Sequence, residues 1–374
     1  MNLTSIKQNI IRFYQNSQGW RTNRKLIVFE SDDWGCIRMP SKEVFNNLQK
    51  RGFELDKFPY LKYDSLETVE DLEAIFTCLK KFKDRNENHP IITVNTILSN
   101  PDFNGIERSG FNEYISESFI DTLNRESGPE AINLFKQGIN DKLMFPQLHG
   151  REHLNVKRWM RSLQDENGVT REVFNSGLFD LSVSQTNITA NSFVDALTPG
   201  SNEELVYLGE SIKEACVQFE QVFGFQSKSF IAPCYIWRPE TERAMFEAGI
   251  KYIQSGAYQL IPKIGQINKF RKKMHFTGQK NKFGQIYTVR NALFEPSLID
   301  TPTIASTLTQ IERAFSYHKP AIISTHRINF SGRIVESNRT NNLILFKELL
   351  SALLKKWPDI EFMHSSELGN LISE

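Results

Sequence analysis

Short apolar runs alternate along the chain with longer amphipathic stretches. The short runs are rich in β-branched residues, which is typical of strands buried on both faces of a parallel sheet, and the longer stretches repeat apolar residues at helical spacing. Strands are predicted near residues 26–29, 91–98, 143–148, 229–232, 251–254, 286–293, 321–324 and 360–363. Helices are predicted near residues 3–14, 42–51, 66–82, 130–137, 156–163, 203–223, 240–248, 304–317 and 341–356, with a short helix at the end. About seven strand–helix units predict an α/β fold built as one barrel-like domain.

The first predicted strand ends on three acidic residues, Glu30, Asp32 and Asp33. Carboxylates are costly to bury without compensation, and the carboxyl ends of buried parallel strands are where such folds hold their chemistry. Side chains alternate in direction along a strand, so the two aspartates face the same way only if the backbone turns, which Gly35 permits. The pair therefore predicts a metal site in which one aspartate binds a cation and the other handles a proton.

Three later strand ends also carry unusual residues. They are His149 and His153, the segment 233–237 and His326. Strand ends of one parallel barrel converge on one face, so these residues are expected to share a pocket. Asp33, His149 and His153 would supply one oxygen and two imidazole ligands and leave an open position for water, as in a catalytic zinc site. This set predicts a hydrolytic site.

These motifs resemble the polysaccharide deacetylases of the NodB-homology class, carbohydrate esterase family 4. The resemblance implies a distorted (β/α)7 barrel and one divalent metal ion. Zn²⁺ is the expected metal, with Co²⁺, Ni²⁺ or Mn²⁺ as alternatives. It also implies that Asp32 is the general base, that Asp33, His149 and His153 bind the metal, and that His326 is the general acid. The implied reaction removes an acyl group, acetyl first, from an amino sugar or polysaccharide.

The chain departs from the family pattern in several places. Trp34 separates Asp33 from the glycine of the first motif, and Ile231 stands where the family has an arginine that orients the base. Arg38 or Arg327 is a candidate replacement for that arginine. In the family, one backbone N–H helps to bind the oxyanion. The residue that carries it aligns with Cys234 or Tyr235, and Tyr235 is included among the predicted catalytic residues. Glu295 and Asp300 are candidates to tune His326.

Substrate contacts are predicted from the residues that flank these motifs, which are Trp34, Arg38, Pro233 and Trp237. A sugar pocket needs flat apolar faces with a polar edge, which tryptophan and tyrosine provide, although both are also common in cores. The expected partner is a carbohydrate or an acylated small molecule.

Two other function classes stay open at this point. His149-Gly150-Arg151-Glu152-His153 fits H-x-x-E-H, a zinc-protease pattern in which Glu152 would be the base. That pattern has to lie inside a helix, whereas residues 143–148 read as a strand and Gly150 weakens a helix. A non-catalytic carbohydrate-binding protein on the same scaffold is the other alternative, because the motif arginine is missing.

Composition narrows the choice of partners. The 374 residues carry a formal charge of +1, so no overall field favours nucleic acid or an anionic membrane. The first twenty residues hold no uninterrupted apolar segment and no run approaches the roughly 20 apolar residues of a membrane span, which predicts a cytoplasmic protein. The four cysteines are widely spaced and predict free thiols. We expect a single domain over residues 1–374 with insertions near 100–140 and 261–285. The second insertion is interpreted as a basic, solvated loop, with binding of an acidic polymer as the alternative. The oligomeric state is not predicted.

Overall fold

Strands and helices alternate in the computed structural model, which describes residues 13–14, 17–181, 192–298 and 304–374. The strands are β1 (Lys25–Trp34), β2 (Ile92–Ile97), β3 (Ser99–Pro101), β4 (Ser116–Ser118), β5 (Met144–Gly150), β6 (Ser229–Ile231), β7 (Tyr252–Ser255), β8 (Tyr258–Pro262), β9 (Phe270–Met274), β10 (Ile286–Val289), β11 (Ala292–Leu293), β12 (Ala321–His326) and β13 (Ile360–Phe362). The helices are α1 (Lys42–Lys50), α2 (Pro59–Tyr63), α3 (Val69–Leu79), α4 (Phe103–Arg108), α5 (Phe119–Ser127), α6 (Pro129–Asn140), α7 (Val156–Ser162), α8 (Val169–Phe174), α9 (Asn202–Phe223), α10 (Thr241–Glu247), α11 (Ile304–Ser316), α12 (Glu336–Lys356) and α13 (Ser365–Ser373). Short 3₁₀ turns lie at Leu55–Lys57, Pro233–Tyr235 and Arg327–Phe330.

One curled sheet of nine strands forms the centre of the molecule. Eight strands follow the order β10-β7-β6-β5-β2-β1-β12-β11, and β13 pairs with the start of β1. The ladders of this sheet are parallel. No ladder joins β10 to β11 among the described strands, so the barrel is open there and the chain crosses the gap at Arg290 and Asn291. The predicted fold class, α/β with a distorted (β/α) barrel, is confirmed by this strand order.

Strand β1 shows how the sequence builds both faces of the sheet. Ile27 and Phe29 pack outward into the largest apolar cluster, where the Phe29 ring meets Phe346 of α12 edge to face at 5.3 Å. Leu26 and Val28 pack in a separate apolar cluster that contains Leu368 of α13. Because directions alternate along a strand, Glu30 and Asp32 continue the side of Leu26 and Val28. The same strand therefore begins in an apolar layer and ends in a polar one.

Helix boundaries follow local capping signals where the sequence supplies them. Ser41 accepts a hydrogen bond from the Val44 N–H at the start of α1, and Thr68 and Asp71 form a reciprocal capping box at the start of α3. Such caps are each worth about 1 kcal/mol. Most predicted helices are found within a few residues of their expected bounds, but α12 begins five residues before the predicted residue 341.

Three predicted elements need comment. Residues 286–293, predicted as one strand, form β10 and β11 with a break at Arg290, so that prediction is wrong. In the region 100–140 the helix predicted near 130–137 is confirmed as α6, whereas α4, α5 and the small β3–β4 sheet were not predicted. Most of the helix predicted for residues 3–14 lies outside the described residues. The division into one domain with two insertions stays a prediction.

The β8–β9 hairpin stands apart from the central sheet as its own antiparallel pair. It begins two residues after the end of β7 and carries much of the basic segment that the sequence marked as an excursion. None of the helices in the described part of the chain is both long and apolar enough to cross a bilayer.

Candidate active site

A backbone distortion at the end of β1 separates the two adjacent aspartates. The ladder between β1 and β2 shifts register between Ser31 and Trp34, and Asp33 has a φ of +73°. Gly35 follows with a φ of +77°, where a Cβ would lie 2.7 Å from the carbonyl oxygen of Ile97. Left-handed backbone is costly for a residue other than glycine and marks a local constraint. The distortion lets Asp32 and Asp33 face different partners, and the turn begins at Asp33, before the predicted Gly35.

Asp33, His149 and His153 form a buried cluster at the ends of β1 and β5. The Oδ1 atom of Asp33 lies 3.4 Å from Nε2 of His149 and 3.3 Å from Nε2 of His153. One ligand atom from each residue lies within 4.8 Å of the other two. Nδ1 of His149 lies 2.9 Å from the carbonyl oxygen of Ile231, so Nδ1 carries the proton and Nε2 keeps a lone pair. The predicted ligand set is thus assembled in one place.

The protonation states of this cluster suit a cation. Burial alone would raise the pKa of Asp33, but Arg38 and the neighbouring histidines outweigh it and hold that pKa well below its usual value. Burial lowers the pKa of His153 to about 3, so its imidazole is neutral. Oδ1 of Asp33 and Nδ1 of His153 have no hydrogen-bond partner among the described residues. An unsatisfied buried polar atom costs about 1–3 kcal/mol, which a metal ion at Oδ1 would relieve.

Asp32 lies in a contrasting, saturated environment. Nη1 of Arg290 donates to Oδ2 at 2.7 Å and Nη2 donates to Oδ1 at 2.6 Å, while the side-chain amide of Asn95 donates to Oδ1 at 2.7 Å. Burial alone would raise the pKa of Asp32, but Arg290 outweighs it and lowers the pKa to about 2. Asp32 is therefore a fixed anion, and Oδ2 is the oxygen with fewer donors.

Arg290 and Asn95 are site residues that sequence reasoning missed. Arg290 lies at the break between β10 and β11, and its Nε also donates to Glu30 at 2.7 Å. The two arginines predicted to orient the base do not contact Asp32. Arg38 pairs with Asp33 and Asp64. Arg327 pairs with Asp64 and Glu67. A sequence signal existed: a basic residue followed by asparagine interrupts the apolar run 286–293.

His326 lies at the end of β12, directly opposite Asp32 in the parallel ladder. Its Nδ1 lies 2.6 Å from Oε1 of Glu295, and its Nε2 lies 3.7 Å from Oδ2 of Asp32. Burial alone would lower the pKa of His326, but Glu295 and then Asp32 outweigh it and raise the pKa to about 9. The side chain is therefore protonated at neutral pH. Asp300, the other candidate partner, lies outside the described residues.

The turn Pro233–Tyr235 follows β6 and reaches the same group of residues. Cys234 and Tyr235 both have a φ of +56°. The Tyr235 N–H donates to the carbonyl of Ala232 at 3.0 Å, so it is engaged within the turn, whereas the Tyr235 hydroxyl accepts from Nη1 of Arg290 at 3.1 Å. Tyr235 thus contacts the site through its hydroxyl. Pro233 lines a small neighbouring recess with Gly150 and Glu152.

The two predicted tryptophan contacts are not available to a substrate. Trp34 is buried, its indole N–H donates to Ser31, and its ring packs edge to face on Phe135. Trp237 is also fully buried and donates to Glu242. Their large apolar rings contribute more to the core than to a wet pocket, so the prediction that they bind substrate is corrected. Arg38 does border a small recess together with Tyr60 and Phe179.

Glu152 faces away from the ligand cluster. Its carboxylate accepts from Nε of Arg151 at 2.7 Å, and burial raises its pKa to about 7. His149 lies in β5 and His153 in the loop before α7, so no helix aligns the two histidines. The helical context that an H-x-x-E-H protease site requires is absent from these residues.

Comparison with known proteins finds similarity of structure only. No protein-family model and no curated protein sequence matches the chain. A putative polysaccharide deacetylase from Mycobacterium smegmatis aligns with 10% identity over 95% of this chain and 93% of that one, with a TM-score of 0.45. A probable polysaccharide deacetylase from Pseudomonas aeruginosa PAO1 aligns with 10% identity over 93% and 91%, with a TM-score of 0.42. A 4-alpha-glucanotransferase from Thermococcus litoralis aligns with 11% identity over 92% of this chain but only 40% of its own length, with a TM-score of 0.43. TM-scores below 0.5 do not establish a common fold, so the fold class rests on the strand order itself.

Proposed function

We propose that the protein is a metal-dependent hydrolase that removes an acyl group, acetyl in the first instance, from an amino sugar or a polysaccharide. The observation that carries this proposal is the pair of adjacent buried aspartates with opposite surroundings. Asp33 offers an unpartnered oxygen to two histidines, and Asp32 is held as an anion beside a protonated His326. One cation site, one base and one acid within a single pocket are the groups that acyl hydrolysis requires.

The donor set fits a divalent cation of the zinc type. Asp33, His149 and His153 would hold it, since two imidazoles and one carboxylate are a known set for zinc with an open position. The cation, when bound, supplies Lewis acidity to the acyl oxygen and to a water molecule. Zn²⁺ is the first choice on donor chemistry, and Co²⁺, Ni²⁺ and Mn²⁺ accept similar ligands.

The chain's own residues account for the proton transfers. Oδ2 of Asp32 takes a proton from the attacking water, whose oxygen bonds to the acyl carbon. Arg290 and Asn95 fix the orientation of that carboxylate. His326 gives its proton to the leaving nitrogen or oxygen as the bond to the acyl carbon breaks. The products are a carboxylic acid and the free amine or alcohol. The backbone N–H of Cys234 is the proposed donor to the oxyanion, because the other candidate, the Tyr235 N–H, donates within its own turn.

Two alternatives lose their main support. The protease reading requires a helix that carries both histidines and a glutamate directed at the metal, and neither condition is met. The non-catalytic interpretation was favoured by a missing arginine, and Arg290 donates to Asp32 from the break between β10 and β11. Acyl hydrolysis is the proposal that uses Asp32, Asp33 and His326 together.

Elemental analysis of protein purified without chelator tests the proposal. Wild type is expected to hold about one divalent metal per chain and to release acetate from N-acetylated amino sugars when loaded. Asp33→Ala is expected to lose the metal, whereas Glu152→Gln, the matched carboxylate control between the same two histidines, is expected to keep it. A metal that survives in Asp33→Ala, or a wild type that binds none when metal is supplied, would overturn the metal site.

A further inference from the structure

The β8–β9 hairpin, residues 258–274, carries a concentration of positive charge. It and its connecting loop carry five basic residues within eleven positions, Lys263, Lys269, Arg271, Lys272 and Lys273. Residues 248–294 as a whole contain nine lysines and arginines and no aspartate or glutamate. Because the formal charge of the whole chain is +1, the remaining residues together carry a net charge of −8. The near-neutral total therefore hides a local cationic patch in an acidic protein.

These cations have no anionic partners in the described structure. Lys263, Lys269, Arg271 and Lys272 are exposed and Lys273 is half-buried. None of the five pairs with a carboxylate among the described residues, although acidic side chains elsewhere are widely used in ion pairs. Nζ of Lys272 lies 6.0 Å from the centre of the Tyr258 ring. One or two lysines suffice to protect an edge strand, so five unpaired cations call for another reason.

The hairpin is a fixed platform. The side-chain amide of Gln259 donates to the carbonyl of Trp237 at 2.9 Å, and the Trp237 N–H donates to Leu260 at 3.2 Å. Nη1 of Arg238 donates to the carbonyl of Pro262, and the Gly265 N–H donates to Pro199 at the tip. A hairpin whose backbone is already fixed does not have to be ordered on binding, which favours recognition of an extended anion.

The link between β7 and the hairpin lies beside Tyr235 of the candidate active site. It follows the carboxyl end of β7, and a Cβ at Gly256 would lie 3.4 Å from the ring of Tyr235. The Tyr235 hydroxyl contacts Arg290, which holds Asp32. The hairpin is therefore continuous in sequence with the strand end that borders this side of the candidate site.

We propose that the basic hairpin binds an acidic polysaccharide, a sugar chain that carries carboxylate groups, and guides it into the candidate active site. This inference rests on the proposed function and narrows its substrate to an anionic polymer. Charge complementarity and continuity with the site favour a flexible single sugar chain, because a nucleic-acid duplex or a membrane would also meet the acidic remainder of the protein.

Calorimetry of the binding of polygalacturonic acid fragments tests the proposal. The titration is run at low salt and at about 0.3 M salt, where exposed charges are largely screened. Wild type is expected to bind at low salt and to weaken as salt rises. The triple variant Lys269→Glu, Arg271→Glu, Lys272→Glu is expected to bind at least about tenfold more weakly, since each change removes one exposed attraction and adds a repulsion. The matched control reverses three exposed lysines on helices, Lys42, Lys136 and Lys347, and is expected to bind like wild type.

Asp33→Ala separates this proposal from the proposed function. Retained polymer binding in Asp33→Ala supports the hairpin site whether or not the wild type hydrolyses an acyl group. The proposal is overturned if wild type does not bind polygalacturonic acid, if uncharged N-acetylglucosamine oligomers bind as tightly, or if both triple variants weaken binding equally. Tighter hairpin-dependent binding of duplex DNA or of phosphatidylserine vesicles would overturn it as well.

Discussion

Asp32 and Asp33 are adjacent carboxylates at the end of β1 and both are buried, but their oxygen atoms have opposite surroundings. Asp32 accepts three charge-assisted or amide hydrogen bonds, from Arg290 twice and from Asn95. Oδ1 of Asp33 accepts none and instead faces the Nε2 atoms of two histidines. The difference shows that burial alone does not assign a role to a carboxylate. A saturated carboxylate is held in position and is ionised before reaction, whereas an unsatisfied buried oxygen costs about 1–3 kcal/mol, which a bound cation would relieve.

The comparison also separates two surrounding shells. Arg290, Glu30 and Ser365 link Asp32 to the polar layer inside the barrel. Arg38 and Asp64 link Asp33 to Arg327 and to the segment before α3. Each aspartate therefore has its own arginine. The surroundings of the two aspartates can therefore be disturbed one at a time.

The largest effect is expected from exchanging each aspartate for asparagine. Asp32→Asn is expected to keep the metal and to lose about 10²–10⁴-fold in turnover, because the amide cannot accept the proton of water. Asp33→Asn is expected to bind metal at least about 100-fold more weakly, because a charged ligand is lost. Metal competition titrations and single-turnover assays on both variants measure this crossed pattern. Equal losses of metal in the two variants would remove the distinction between them.

A smaller effect is expected for Arg290→Lys. Lysine keeps one charge but cannot donate to Glu30 and to both oxygens of Asp32. We expect turnover to fall about 10–100-fold with metal content unchanged, and stability to fall by about 1–3 kcal/mol in urea unfolding.

Arg158→Lys is the matched control, since Arg158 is a mostly buried arginine paired with Asp195 outside this site. It is expected to lose stability without the loss of turnover. If the control lost as much turnover as Arg290→Lys, the effect would be general destabilisation and Arg290 would have no special role.

The smallest effect is a shift in pH dependence from Glu295→Gln. Glu295 helps to raise the pKa of His326 from 6.5 to about 9, so His326 is a proton donor below that pH and loses this role above it. Without the carboxylate, burial dominates, and the alkaline fall in turnover is expected to move to lower pH. The ion pair also stabilises the fold fully below about 6.5, and this contribution is lost as pH rises through about 9.

Histidine NMR titration of His326 measures the shift without an activity assay. Glu312→Gln, which removes an exposed carboxylate paired with Lys356, is the control and is expected to leave the titration unchanged. An unmoved His326 titration in Glu295→Gln would show that Glu295 does not set its charge.

The amino-acid sequence alone predicted most of the secondary structure and much of the candidate site. Apolar runs and helical spacing are local properties, and they located β1, β5, β12 and most helices. The parallel arrangement of strands was enough to bring Asp33, His149 and His153 to one end of the barrel. It also put His326 beside Asp32, because β1 and β12 are neighbours in register.

Only the tertiary structure decided which partner each side chain has. Arg290 reaches Asp32 because the run 286–293 breaks where the barrel is open, and the two residues are 258 positions apart in sequence. Trp34 and Trp237 are adjacent to site residues in sequence but turn into the core. Local patterns report strand and helix, but the charge state of a buried carboxylate depends on donors that only long-range sheet register brings within hydrogen-bond distance.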